Sequence, residues 1–411
     1  MEVSGLKEKI KKEIIRRVSK DYAHVPEESI ESNIEALLHS IIKRDREISH
    51  LTQAQQAEIV SQIKNEILGL GPIEELMRDP SVTEIMIDSP TQVCVERNGK
   101  IELTDINLRD EEWLMYFVDK ILAPLGRRLT QLEPYVDARL KDGSRVNVIR
   151  SPLSLTSTVL TIRKFNRTVL SMQDLINAQT LNHDVAGFLK AAVIARLNIL
   201  IAGGTSSGKT TTLNILLSFV PTEERIITIE DTVELHLEHR FLVRLETRMP
   251  NMEGKGEVNI RELLRNSLHM RPDRIVVGEV RGGEVIDMLQ AMNVGHEGSM
   301  TTIHANSPED CMNRLEIMAL IGQPNFTVEL VKREIISALD LIIQQKRFSD
   351  GKRKIIRICE MTATKKEDYE LKDIFVLDKE SGQLLPTGAI PASYPLLKEK
   401  ANFIYKPWEK Y

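Results

Sequence analysis

Eight consecutive residues carry the strongest chemical signal in this 411-residue chain: Gly203-Gly204-Thr205-Ser206-Ser207-Gly208-Lys209-Thr210. Their spacing fits G-x-x-x-x-G-K-[ST]; an apolar strand is predicted just before it and a helical run, TTLNILLSF, follows. Such a segment is built to hold phosphate. Glycines let backbone N–H groups wrap an anion, and the helix N-terminus adds the positive end of its dipole. Lys209 then places its charge on the β/γ-phosphates of a nucleoside triphosphate, and the Thr210 hydroxyl ligates Mg²⁺. Thr205, Ser206, Ser207 and Thr211 complete the candidate binding segment.

Two acids follow on apolar strands. RIVVGE, 274–279, ends in Glu279, and IITIED, 226–231, ends in Glu230-Asp231. At the carboxyl edge of a parallel sheet such groups face the nucleotide crevice. There Glu279 either holds the magnesium water shell or orients the attacking water. Of nine histidines, His296 and His304 flank the predicted strand GSMTTI. With no cysteine near them, a metal pair is the weaker reading. The strand is expected to carry His304 to the crevice edge, where a neutral imidazole hydrogen-bonds a phosphate or the Glu279 network.

The elements that must position these groups can be read outward from the loop. Helices near 171–178 and 183–195 lead into LNILIAGG, and short apolar strands then alternate with helical segments. That alternation predicts an α/β core with a parallel sheet. Residues 341–378 read as a final β-rich piece, and the Pro- and Gly-bearing tail after 380 as loosely ordered. Upstream, 81–165 shows alternating runs around Asn98-Gly99 and Asp142-Gly143, which are hairpin signals, with one helix at about 110–123. This predicts an α+β domain. Residues 69–80, with two Gly and two Pro, mark a boundary. Before it, Leu6, Ile10, Ile14 and Val18, then Ile30, Ile34, Leu37 and Ile41, recur at helical spacing, so the N-terminus reads as a helical bundle. The expected partition is 1–70, 71–167, 168–385 and a 386–411 tail.

Composition excludes several classes. Hydrophobic residues are 42% and charged residues 28%, which rules out wholesale disorder, and aromatics at 4% make the cores aliphatic. The net charge of −5 argues against a nucleic-acid coat, and no nucleic acid is expected as a partner. Cys94, Cys311 and Cys359 form no C-x-x-C pair, so no zinc ribbon is expected. The N-terminus has no apolar signal core. The apolar stretch at 185–204 is interrupted by Lys190, Arg196 and Asn198, so it does not read as a membrane span. Membrane contact is expected only through partners.

The ordered blocks GGTSSGKTTTLN, IITIEDTVEL, HMRPDRIVVGEVRGGE and AMNVGHEGSMTTIHANSPED resemble the Walker A, Asp box, Walker B and His box of the secretion ATPase superfamily. The resemblance covers roughly 70–375. The phrases RPDRIVVGEVRGGE and GHEGSMTTIHANSPEDCMNRLE are most similar to its CpaF-like branch, the Tad (Flp) pilus assembly ATPases. It implies a RecA-like P-loop core preceded by a PAS-like α+β sheet domain and a helical bundle. It also implies a cytoplasmic homohexamer at the inner face of the membrane, which hydrolyses ATP with Mg²⁺. That ring would drive an inner-membrane pilus platform protein for assembly, and for retraction as well if one motor serves both.

Carried over by motif, Gly204, Gly208, Lys209 and Thr210 bind phosphate and magnesium. Glu230 and Asp231 belong to the Asp box, with Glu230 the catalytic partner. Glu279 is the Walker B acid, and His296 and His304 form the His box, with His304 the phosphate sensor. Gly278-Glu279 departs from the Asp-Glu pair of many P-loop ATPases, which leaves Glu279 as base, magnesium ligand or both. Arginines of the domain before the core reach the γ-phosphate in this superfamily; here Arg139, Arg145 and Arg163 are the candidates, with Arg244 and Arg281 after them. The implied cycle closes the two domains on ATP about a hinge at Thr168–Ser171. A nucleic-acid translocase and a non-hydrolysing ATP-gated protein are the competing readings.

Overall fold

The computed structural model describes residues 52, 70–97, 99–165, 170–248, 250, 255–364 and 368–404. The expected N-terminal bundle therefore lies outside the described residues apart from Thr52 and Leu70, as do Thr168 and Val169 of the expected hinge. The chain divides into two units, Met1–Asn166 and Arg167–Tyr411.

In the first unit a short helix, α1 (Glu74–Arg78), precedes strands β1 (Val82–Ser89), β2 (Gln92–Arg97) and β3 (Lys100–Leu103). Helix α2 (Glu111–Leu122) and strands β4 (Tyr135–Arg139), β5 (Arg145–Ile149) and β6 (Val159–Arg163) follow. The strands form an antiparallel sheet in the order β3-β2-β1-β6-β5-β4. Helix α2 starts where Asp110 accepts the Trp113 N–H at 2.8 Å, an N-cap that satisfies one orphan amide. It buries Leu114, Phe117, Val118 and Ile121 against the inward residues Ile85, Ile87, Val146, Val148, Leu160 and Ile162. The Asp142-Gly143 signal is the β4–β5 turn. Gly143 has φ +96, and a Cβ there would stand 2.9 Å from the Phe165 ring.

Strand period then places the remaining side chains on the other face. Arg139 pairs with Arg145, Arg145 with Arg163, Arg163 with Glu84, and Glu84 with Glu96. Directly opposed residues share a face, so the row runs three arginines and then two glutamates.

The second unit opens with α3 (Met172–Asn177), held by a Ser171/Asp174 capping box, and α4 (His183–Ile194). Next come β7 (Ile199–Gly203), α5 (Lys209–Leu217), β8 (Ile226–Glu230) and β9 (Leu242–Glu246). They are followed by α6 (Ile260–Ser267), β10 (Arg274–Val280), α7 (Glu284–Asn293), β11 (Met300–His304), α8 (Pro308–Gly322) and α9 (Val328–Ala338). The unit closes with β12 (Leu341–Arg347), β13 (Arg353–Ala363), β14 (Tyr369–Leu377), β15 (Leu384–Pro386) and α10 (Tyr394–Ala401).

Six strands, in the order β12-β7-β11-β10-β8-β9, are parallel, and β13, β14 and β15 extend the same sheet antiparallel beyond β12. β7 and β8 are buried at every position, as strands covered on both faces must be. Along β7, Ile199 and Ile201 join one core with α4 and α5, while Leu200 and Ala202 join the other with α7 and α8.

The tail is not loosely ordered over its described part. β15 pairs with β14, Leu397 of α10 is fully buried, and Phe403 stands 6.0 Å from Phe188 of α4. The Gly and Pro that suggested looseness occupy turns: Gly388 has φ +86, and Pro391 accepts the Tyr394 N–H. Among the described residues no helix is long and apolar enough to cross a membrane.

At the amino edge of the parallel strands Asn198 ties three of them. Its N–H donates to Asp340 at 2.7 Å, its side-chain amide donates to the Ala338 carbonyl at 2.6 Å, and its side-chain oxygen accepts the Ser299 N–H at 3.0 Å. Burial pushes the Asp340 carboxyl up to about 6, with the Asn198 N–H opposing and the charges of Glu360 and Glu297 adding to the rise.

Candidate functional site

The phosphate loop leaves the buried end of β7 and turns directly into α5. Gly208 is the N-cap, at φ +96, and no side chain caps this helix. Its first turn also lacks an acid. The N–H groups and dipole that open an α-helix are thus presented without an internal counter-charge. Two positions require glycine: a Cβ on Gly203 would lie 2.4 Å from the Gln345 carbonyl oxygen, and Gly208 sits at φ +96, where a Cβ would also stand 2.9 Å from Gln345 Nε2. Gly204 has open space around it, which leaves room for a ligand to approach the backbone. Ser207 Oγ is buried without a hydrogen-bond partner.

A chain of contacts runs from the loop to the two neighbouring strand ends. The buried Lys209 ammonium donates to the Gly203 and Gly204 carbonyls, both at 3.1 Å, and stands 3.3 Å from His304 Nδ1. His304 Nε2 lies 2.7 Å from Glu279 Oε1, an ion-pair distance whose angles miss those of a hydrogen bond. Arg281 donates twice to Glu279 Oε2, from Nε at 2.8 Å and Nη2 at 2.6 Å, and its Nη1 lies 3.6 Å from Asp231. Partial burial and the Lys209 charge hold the His304 imidazole below its ordinary value of 6.5, against the pull of Glu279. It is therefore neutral at pH 7. With Nδ1 accepting from the ammonium, the proton is assigned to Nε2, facing Glu279.

Glu230 is arranged differently. It is 3% exposed at the end of β8, and its Oε1 accepts the N–H groups of Glu234 and Leu235 at 2.8 and 2.9 Å. Its Oε2 is buried without a hydrogen-bond partner. Burial raises its pKa against those two bonds and the nearby Arg244. A Cβ on Gly278 would stand 3.1 Å from Glu230 Cγ. The glycine in the Gly278-Glu279 pair thus has a physical reason: the Glu230 side chain, through its Cγ methylene, crowds the space that a side chain would enter on the next strand. Sequence reading noted that departure but had no signal for its cause, which is a contact across the sheet.

Lys209, His304, Glu279, Arg281 and Asp231 are thus brought together, with Thr210 in the first turn of α5 and Glu230 beside Gly278. His296 is not among them. It precedes β11, whose far end carries His304, and its Nδ1 lies 3.1 Å from the Pro272 carbonyl at the start of β10. The structure places His296 apart from this cluster, with the extended strand β11 between the two histidines. Arg244 donates to the Leu235 carbonyl at 2.5 Å and steadies the segment that caps Glu230. Arg139, Arg145 and Arg163 belong to the first unit and form the cross-strand row described above. Arg163 lies 3.9 Å from Glu84, and Arg139 donates to the Gly143 carbonyl at 3.3 Å.

The donor set fits Mg·ATP: an uncapped helix N-terminus, a lysine ammonium, the Thr210 hydroxyl and a carboxylate at Glu279. The Ser207 and Glu230 oxygens without partners mark where further polar groups would be satisfied.

Residues 66–376 match the family described as type II/IV secretion system protein. A putative conjugal transfer protein of Mycobacterium tuberculosis is 31% identical over 346 residues, covering 83% of this chain and 96% of that protein. The type IV secretion system protein VirB11 of Bartonella henselae is 30% identical, covering 70% of this chain and 91% of that one. Among solved structures, the pilus retraction motor PilT with bound ADP superposes with a TM-score of 0.50 at 20% identity, covering 80% of this chain and 85% of that one. This last likeness bears on the fold.

Proposed function

The chain belongs to the type II/IV secretion system protein family, and from that premise we propose that it is an ATP-hydrolysing motor. The observation that carries this reading is the contact chain from the loop lysine through His304 to Glu279. Bound Mg·ATP would supply the transferable phosphoryl group and the charge of the metal. Lys209 would meet the β/γ-phosphates, and Thr210 and Glu279 would hold the metal, Glu279 directly or through water. Glu230 takes the proton of the attacking water, because burial makes it a stronger base than an ordinary carboxylate. The water oxygen bonds to the γ-phosphorus, the bond to ADP breaks, and phosphate leaves. Neutral His304 holds Lys209 on one nitrogen and faces Glu279 with the other, so a change at the loop is felt at Glu279 and Arg281.

The arginine row receives the γ-phosphate in this proposal, since three guanidinium groups on one face suit a polyanion. At the level of the machine, the chain works as a homohexamer in the cytoplasm, at the inner face of the membrane. It drives an inner-membrane platform protein of a Tad-type pilus. The block RPDRIVVGEVRGGE supports that branch.

The test is ATP turnover per subunit across protein concentrations, with Glu279→Gln as control. Turnover that rises with concentration and vanishes in the variant is expected of a ring that completes its sites on assembly. Absent turnover in both proteins, with and without membrane extract, would sink the motor reading.

A further inference from the structure

Two adjacent glutamines on β12 are buried, each 2% exposed, at the edge of the phosphate site. Consecutive strand residues point to opposite faces, and these two do so toward different partners. Gln345 accepts the Thr212 hydroxyl of α5 at 2.9 Å, and its backbone and amide form the wall that Gly203 and Gly208 lie against. Gln344 donates to the Ala305 carbonyl at 3.1 Å, one residue past His304. The β12–β13 register shifts between the two residues, an irregularity that re-aims side chains. From the same hairpin Arg353 donates to the Ser206 carbonyl at 3.0 Å.

We propose that Gln345 and Gln344 are positioning residues with separate duties: Gln345 sets the curvature of the phosphate loop, and Gln344 sets the placement of His304. The assignment rests on the ATPase reading above. It predicts a division in the kinetics. The loop grips phosphates in the ground state and the transition state alike, so loosening it raises KM and spares kcat. His304 belongs to the charge network beside the reacting phosphoryl group, so misplacing it lowers kcat and spares KM.

The experiment measures kcat, KM and melting temperature for the full chain carrying Gln345→Met, Gln344→Met and the double change Thr212→Val/Gln345→Met. Methionine keeps the unbranched shape. The double change removes both partners of one buried bond, which leaves no orphaned hydroxyl and guards against simple misfolding. Gln344 Oε1 has no hydrogen-bond partner, so Gln344→Met removes an unsatisfied atom along with one bond. The expected result is a KM about tenfold higher for Gln345→Met and for the double variant, with kcat little changed. For Gln344→Met kcat falls about tenfold with KM little changed. Variants that move both constants alike, or a double variant with wild-type KM, would overturn the assignment while the wild type still turns over ATP. A wild-type protein that neither binds nor hydrolyses ATP would overturn the ATPase reading and the assignment with it.

Discussion

The two units arrange charge in opposite ways. At the carboxyl edge of the parallel sheet charges alternate: Lys209, neutral His304, Glu279, Arg281, Asp231. Across the antiparallel sheet they are sorted, with Arg139, Arg145 and Arg163 and then Glu84 and Glu96. Alternating charges satisfy one another and hold a fixed geometry. Like charges directly opposite repel across a sheet. The first arrangement suits a preorganised site, and the second gives one face of a sheet a strong local positive charge.

The largest expected effect tests the sorted row. Arg163→Ala and Arg145→Ala should each lower kcat by about 10³–10⁵-fold, the range for arginines that neutralise a phosphoryl transition state. Nucleotide affinity, measured with fluorescent ADP, should change far less. Near-normal turnover in both would mean the row is only a solvated face.

Next comes the alternating chain. Glu279→Gln should keep ATP binding and lower turnover, with excess magnesium repairing part of the loss, as its place at the metal requires. A loss of about 10²–10⁴-fold that magnesium does not repair would assign Glu279 to proton transfer instead. Gly278→Ala probes the strand contact: with Glu230 Cγ 3.1 Å from the new Cβ, the carboxylate must shift. Turnover should fall roughly tenfold, about 1.4 kcal/mol of barrier. Unchanged turnover would show that the placement of Glu230 is not critical.

The smallest effect concerns a group of acids at the amino edge of the parallel sheet. Asp340 faces Glu360 and Glu297, and its folded pKa of about 6 exceeds the ordinary 3.8. The folded state therefore binds more protons than the unfolded one between those values. Its contribution to stability is present below pH 3.8 and is lost as pH rises through about 6. Asp340→Asn should raise the melting temperature by a few degrees, on the order of 2–4 °C per kcal/mol, at pH 8. At pH 4 it should change little. An equal fall at both pH values would point to a lost hydrogen bond with Asn198 rather than to charge.

What could be read from the sequence was local. The phosphate loop, the strand-ending acids and the Asp142-Gly143 turn each announce themselves within a few residues, because backbone conformation there demands particular side chains. Contacts between distant strands left no such mark. Nothing in the runs YVDAR, RVNVI and VLTIR states that their arginines meet in one row, since register is set by pairing. The Gly278 contact with Glu230 and the opposed duties of Gln344 and Gln345 are hidden for the same reason. The tail misled because glycine and proline report turns equally well in ordered and loose chain. The separation of His296 from His304 was equally hidden, because proximity along a strand is not proximity at one end of it.

Strand β7, which carries the phosphate loop, lies between β11 and β12. During synthesis those neighbours, residues 300–304 and 341–347, emerge long after it. At about 5–20 residues per second, β7 waits on the order of ten seconds for its second partner. Until then the growing chain holds every residue of the loop motif but lacks the wall that shapes it. The shaping of the loop is thereby deferred until β12 has been translated.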